Sequence, residues 1–482
     1  MTAGHSHGSH PSRPPAGCHA LVLSPVSTCS VHNGDVSDFP LRAFGRTAKL
    51  ATLPVSYAGR TAVGLGKRVG GASADAVRAE VQARSAEHLF RVLGELKGGA
   101  MKFGQAMSMF EAGLPPELVE PYRATLTKLQ DSAPPMPAST VHAVLTEELG
   151  PRWRARFAHF DDMPAAAASI GQVHRARLRG GTDVAVKIQY PGAAQALMAD
   201  IEQISRAARL GTAWMPGLDI KPILAELRAG LTAETDYLAE ADNQRVFNHA
   251  FRNNRSVVVP RVILSSAHVL VTTWLDGTPL SRIITDGTQQ QRDLAAHRYL
   301  EFLVLAPAKV GILHADPHPG NYRITEDNRL GVLDFGAVKK LPGGLPEPSG
   351  RLMGLALDGD ADAVEQGLRA EGFIRPHMDI DAEQLLAYVM PFLEPATVPT
   401  FVFSREWMQS LFNHVKDPRR EEWAVGLKLN LPKEYTMIHR VWSGGLGVLC
   451  QLNGEVPVRD VLAEHLPGFD PPPLPVSAGQ PA

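Results

Sequence analysis

At 482 residues and 44% hydrophobic content, the chain can bury one large core or two moderate ones, which places it among globular proteins. A formal net charge of -2 supplies no global field to attract nucleic acid. Cys18, Cys29 and Cys450 form no Cys-x-x-Cys pair, so neither a disulfide framework nor a zinc site is indicated, and a reducing cytoplasm fits.

Residues 1–38 are rich in Gly, Ser, Pro and His without an apolar period, the composition of a disordered tail. His5, His7 and His10 are of metal-ligand type, but no second ligand cluster accompanies them and a solvated tail is the simpler reading. From Phe39 to Ala74 the chain carries six basic residues (Arg42, Arg46, Lys49, Arg60, Lys67 and Arg68) and no acidic one. An anionic membrane surface would attract that segment; a basic leader packed on its own domain is the competing reading. The "GLGKRVGG" inside it imitates a phosphate loop poorly, since neither Ser nor Thr follows Lys67 and no strand precedes it. No basic n-region followed by an apolar run marks a signal peptide.

Between Ser73 and about Gln130, apolar residues at three- and four-residue spacing predict helices. In "MKFGQ" the surrounding Met101, Met107 and Met109 look like core, while Lys102, beside Gly104 and Gln105, is either a solvated lysine or a buried cation that needs a partner. Past the Pro-rich "DSAPPMPAST" the pattern shortens. "FAHFDDMPAAAASIGQVHRARL" predicts a strand, a small-residue turn and a strand, and "TDVAVKIQYPG" a β-branched strand carrying Lys187. The helical "KPILAELRAGLTAETDYLAEADNQRVF" presents Glu226, Glu234, Asp236, Glu240 and Asp242. Asp236 and Glu240, four apart, share a predicted face, and periodicity alone favours a solvated acidic surface. "SVVVPRVI" and "HVLVTTWLDG" predict two further strands with "LDGTPL" as an exit turn, so that five short strands and an inserted helix make a small lobe.

"QQQRDLAAHRYLEFLVLAPAKVGIL" predicts a helix feeding into "HADPHPGNYRI", where Asn321 follows Asp316 by five positions. Its most apolar part, Phe302 to Leu313, is too short to span a bilayer. "RLGVLDFGAVKK" then sets Asp334 in an Asp-Phe-Gly turn. A nucleoside triphosphate gives these two loops a reason. Its phosphates need magnesium, a hard cation held by carboxylate and amide oxygens, and Asn321 and Asp334 are such ligands. Asp316 is left to orient, or to accept the proton of, an attacking hydroxyl or water. Lys187 is left to bridge the α- and β-phosphates, steadied by a helix carboxylate.

The order of strand Lys, helix Glu, Asp-x-x-x-x-Asn loop and Asp-Phe-Gly resembles the protein-kinase-like fold. The stretches "LKGGAMKFGQAMS", "AAAASIGQVHRA", "VAVKIQYPG", "ETDYLAEADN", "HADPHPGN" and "LDFGAV" together resemble the UbiB family of atypical kinases, the aarF-domain-containing group, over about Leu41 to Leu466. The resemblance implies an α+β, two-lobed kinase-like domain with a helical N-terminal extension, binding ATP and Mg2+. It implies Lys187 as the nucleotide lysine, Glu240 as its partner, Asp316 as the catalytic-loop Asp, and Asn321 and Asp334 as metal ligands. It further implies that Lys102, Gly104 and Gln105 form the signature motif of the extension, facing Glu234 and Asp236 and folding over the acceptor region. Ala166, Ala167, Ala168 and Ser169 fall where ordinary kinases carry a Gly-rich phosphate loop, and alanine, which resists positive φ, should stiffen it.

The expected organisation is a tail over 1–38, the extension over 39–135, an N-lobe over 156–277, a C-lobe over 278–467 and a Pro-rich tail over 468–482. The family's link to quinone and isoprenoid lipid biosynthesis implies an unidentified small-molecule or lipid acceptor, or water. With no hydrophobic span after the kinase-like domain, contact with an anionic membrane would be peripheral. Three alternatives stay open. An aminoglycoside- or choline-kinase-like phosphotransferase shares the His-x-Asp-x-x-x-x-Asn loop, though "MKFGQ" counts against it. A conventional Ser/Thr kinase would carry Arg where Ala315 stands. A non-catalytic nucleotide-binding scaffold has Lys187, Asp316, Asn321 and Asp334 against it.

Overall fold

The computed structural model describes residues 135–168, 170–192, 195, 198, 235–416 and 421–474. The N-terminal tail, the basic segment, the extension with Lys102, Gly104 and Gln105, and also Ser169 and Glu234 lie outside the described residues.

The first described helix, α1 (Ala138–Leu149), is followed by strands β1 (Phe157–Ala168), β2 (Gly171–Leu178) and β3 (Asp183–Gln189). Helix α2 (Tyr237–Ala250) leads to β4 (Val257–Val258), β5 (Val262–Ser265) and β6 (Val269–Thr273). Five of these strands form one antiparallel sheet in the order β1-β2-β3-β6-β5. Alternation along β3 decides what faces where: Val184, Val186 and Ile188 are fully buried against Val141, Leu145 and Trp153, whereas Lys187 points to the opposite face. Helix α1 adds Val141, Val144 and Leu145 to that core, so it packs on this sheet although it precedes residue 156 in the chain. Gly171 permits the close approach of β2 to β3, since a Cβ there would lie 2.2 Å from the Ile188 carbonyl oxygen.

The second lobe is organised round α4 (Gln289–Val310), entered through β7 (Thr278–Pro279) and α3 (Leu280–Asp286). A capping box of Thr288 and Gln291 starts α4, and Gly311, at φ 68°, ends it in the left-handed conformation that glycine adopts freely. The chain then runs through β8 (Ile312–His314), β9 (Tyr322–Ile324), β10 (Leu330–Val332) and β11 (Val338–Lys340). Helices α5 (Glu347–Asp358), α6 (Ala361–Ala370), α7 (Ala382–Leu393), α8 (Arg405–Lys416), α9 (Glu421–Lys428), α10 (Lys433–Leu452) and α11 (Val458–His465) complete the lobe. None of the described helices is long and apolar enough to cross a membrane.

Three expectations about boundaries are corrected here. "SVVVPRVI" is not one strand. Pro260 has no N–H to continue a ladder, and the segment splits into β5 of the N-lobe and β4, which pairs in parallel with β10 in a second sheet ordered β4-β10-β9-β7. The exit turn at "LDGTPL" contributes β7 to the other edge of that sheet. The Pro-rich end does not begin at 468: Phe469 is buried in the C-lobe core, and the Arg459 guanidinium donates to the carbonyls of Ala396, at 3.0 Å, and Pro472.

Candidate functional site

The cleft-facing side of β3 presents Lys187 to α2 and to the turn after β10. Its ammonium lies 2.7 and 2.9 Å from the two Glu240 carboxylate oxygens and 3.1 Å from Oδ2 of Asp334. Glu240 is 2% exposed. Burial pushes its carboxyl up, to about 7, against the pull of Lys187, and the neighbouring Asp334 charge adds to the rise. Burial also opposes the charge on Lys187, yet Asp334 and Glu240 together outweigh it and hold the ammonium protonated. Two carboxylates therefore share one lysine, which leaves excess negative charge facing the cleft. The face of Tyr237 covers the same ammonium, with Nζ 5.0 Å from the ring centroid.

The loop after β8 is pinned by backbone and ring contacts. His314 is buried, which pushes its pKa down, so it is neutral; Nε2–H donates to the Asp334 carbonyl at 2.6 Å, which sets the tautomer. The Tyr322 hydroxyl lies 3.0 Å from Nδ1 of His314 and 3.2 Å from the Asp316 carbonyl, and its one proton is shared between these acceptors. Tyr299 donates to the Pro317 carbonyl at 3.0 Å. Asn321 reaches the Asp316 carbonyl through Nδ2 at 3.5 Å, and its own carbonyl accepts from the Leu333 N–H at 2.9 Å. That last bond sets Asn321 beside Asp334. An amide oxygen and a carboxylate on adjacent turns form a hard-oxygen donor set of the kind that suits a hard divalent cation.

Residues 128–367 match the ABC1 atypical kinase-like domain. A solved structure from Mycobacterium tuberculosis, described as a complex with erythromycin, is 40% identical, with a TM-score of 0.65 over 83% of this chain and 100% of that one. The chain belongs to the ABC1, or UbiB, family of atypical kinases. Among curated relatives, the mitochondrial atypical kinase coq-8 of Caenorhabditis elegans is 30% identical over 85% of this chain and 55% of its own length. A probable serine/threonine-protein kinase, abkA, of Dictyostelium discoideum is 34% identical over 53% of this chain and 47% of its own. The chain thus spans about half the length of these two relatives.

In this ABC1 chain, Lys187, Glu240 and Asp334 meet directly, and Asp316 and Asn321 flank them on one loop. Glu240 is not on a solvated acidic face, and Asp236 does not share its face. Asp236 is the exposed N-cap of α2, accepting from the Ala239 N–H at 2.9 Å, because a short carboxylate there satisfies an otherwise orphaned helix donor. Ala166, Ala167 and Ala168 are not a turn but the end of β1, paired with Val173, Gln172 and Gly171, since alanine adopts extended backbone readily. Several ordering residues were not foreseen. His314, Tyr322 and Tyr237 look like ordinary core residues in the sequence. The one available sign was that His314 stands two positions before Asp316, as in the His-x-Asp loop.

Proposed function

We propose that the chain binds ATP with Mg2+ and transfers the γ-phosphoryl group to water or to a small or lipid acceptor. The observation that carries this reading is the bridging of Lys187 between Glu240 and Asp334, next to the Asp316–Asn321 loop. Lys187 engages the α- and β-phosphates, and Glu240 holds its ammonium in place between turnovers. Asn321 and Asp334 hold the metal, which when bound neutralises charge on the phosphates. Asp316 orients the acceptor hydroxyl or water and takes its proton. The alanine-ended β1–β2 hairpin covers the phosphates more rigidly than a glycine loop would, which favours slow turnover. The extension carrying Lys102, Gly104 and Gln105 lies over the acceptor region with Glu234 and Asp236 as its counterpart, and the basic residues from Arg42 to Arg68 bring the chain to an anionic membrane. Similarity to coq-8 supports a place in quinone-linked lipid metabolism.

Calorimetry on the full chain tests the central claim. ATP binding is expected to tighten at least tenfold with Mg2+ and to lose that gain in Asp334→Ala; metal-independent binding, or an unchanged gain in the folded variant, would refute the assignment. Erythromycin belongs in the same titration, because the M. tuberculosis relative is a complex with it.

A further inference from the structure

Helix α2 touches the Asp-Phe-Gly turn at more points than its carboxylate. One turn beyond Glu240, Asn243 donates from Nδ2 to the Phe335 carbonyl oxygen at 3.0 Å. One turn further, the Phe247 ring centroid lies 4.9 Å from that of Phe335, which is fully buried. The peptide joining Phe335 to Gly336 is a single rigid plane. Asn243 holds its oxygen, and its N–H, on Gly336, donates to Oδ1 of Asp334 at 2.9 Å. The other carboxylate oxygen, Oδ2, faces Lys187 at 3.1 Å.

We propose that Asn243 is a positioning residue that orients the Asp334 carboxylate through the Phe335–Gly336 peptide plane. With the carbonyl tethered to α2, the plane cannot flip, so the Gly336 N–H stays on Oδ1 and Asp334 keeps one orientation. The same helix that places Glu240 on Lys187 thereby places the second carboxylate as well, from a residue one turn along. A displaced α2 would disorder both at once. Asn243 itself touches neither the lysine nor Asp334, and its effect passes entirely through one amide group.

The inference rests on the proposed metal role of Asp334, and its test separates the two. Hydrogen exchange at Gly336 is measured first on the metal-free, full-length protein, comparing wild type with Asn243→Ala and with Asn243→Asp, which keeps the shape but sets an acceptor against the carbonyl. Gly336 is expected to exchange roughly three- to tenfold faster in Asn243→Ala, the range of one hydrogen bond, and faster still in Asn243→Asp. Nucleotide affinity is then followed against Mg2+ concentration. The half-saturating Mg2+ should rise by a similar factor, with metal-free nucleotide affinity unchanged. Wild-type exchange at Gly336 in both folded variants would overturn the proposal, and so would an equal loss of metal-free affinity, the mark of general disruption. If Gly336 exchange rises but wild type shows no Mg2+ dependence, the hold on the peptide plane stands and the metal reading of Asp334 falls.

Discussion

At the scale of single residues, the site carries one group that works against the fold. The Tyr237 hydroxyl is fully buried and finds no hydrogen-bond partner among the described residues, while its ring packs with Ile170, Ala241 and Leu270 and covers Lys187. An orphaned buried hydroxyl costs about 1–3 kcal/mol, so Tyr237→Phe should stabilise the protein by about 1 kcal/mol while keeping the ring over the ammonium. Tyr237→Leu removes both and should lower stability and nucleotide affinity together. Urea denaturation of the two variants decides the matter; a Tyr237→Phe protein less stable than wild type would mean that the hydroxyl has a partner after all. Lys187, Asp316, Asn321 and Asp334 were picked out in the sequence by residue type and order and Glu240 only through the family resemblance, and the structure brings Lys187, Glu240 and Asp334 into contact. Tyr237 and Asn243 were not legible, because a tyrosine or an asparagine inside an amphipathic helix has many ordinary uses and only the fold shows which peptide or ammonium it meets.

At the scale of elements, β2 is tied to its neighbours by a buried polar relay. The Met136 N–H donates to Oε1 of Gln172, the Gln172 amide donates to Nε2 of His174, and His174 Nδ1–H donates to the Asp161 carbonyl, each at 2.8 Å. Burial is the main cause that lowers the His174 pKa, against the Asp161 carbonyl, so the folded protein holds the ring neutral. The unfolded histidine titrates near pH 6.5, about its ordinary value. Below that pH the unfolded chain binds a proton that the native state resists. The contribution of His174 is therefore complete above about pH 6.5 and declines as the pH falls. The stability gap between wild type and His174→Gln should shrink from pH 7.5 to 5.5 in urea titrations, and a gap independent of pH would show that the ring is not held neutral. Strand periodicity in "DVAVKIQ" and helix periodicity in "AAHRYLEFLVLAP" marked β3 and α4 in advance. The division of "SVVVPRVI" was hidden because its halves pair with different sheets, a choice made by distant partners.

At the scale of the whole molecule, the C-lobe is closed by its own C-terminal segment. A Cβ on Gly350 would lie 2.2 Å from the Pro467 carbonyl oxygen, and Phe469 enters the core of the lobe at 6% exposure. Phe469→Ala should cost about 3 kcal/mol, the low end for a buried phenylalanine, and urea denaturation that detects no loss would show that the segment only rests on the surface. The two edges of the β4-β10-β9-β7 sheet come from the segments just before β5 and just after β6. The N-lobe strands β5 and β6 are thus a loop of chain whose two ends are both stitched to the C-lobe. Helix α2 adds a third tie, since Tyr237 and Ala241 pack with N-lobe residues while Phe247 and Phe251 belong to the C-lobe core. A body fastened at two separated points can turn about the line between them and little else, and a bolt through both halves limits even that turn. Any rocking of the N-lobe strands against the C-lobe is therefore confined to one axis, and it carries Lys187 and the hairpin of β1 and β2 together.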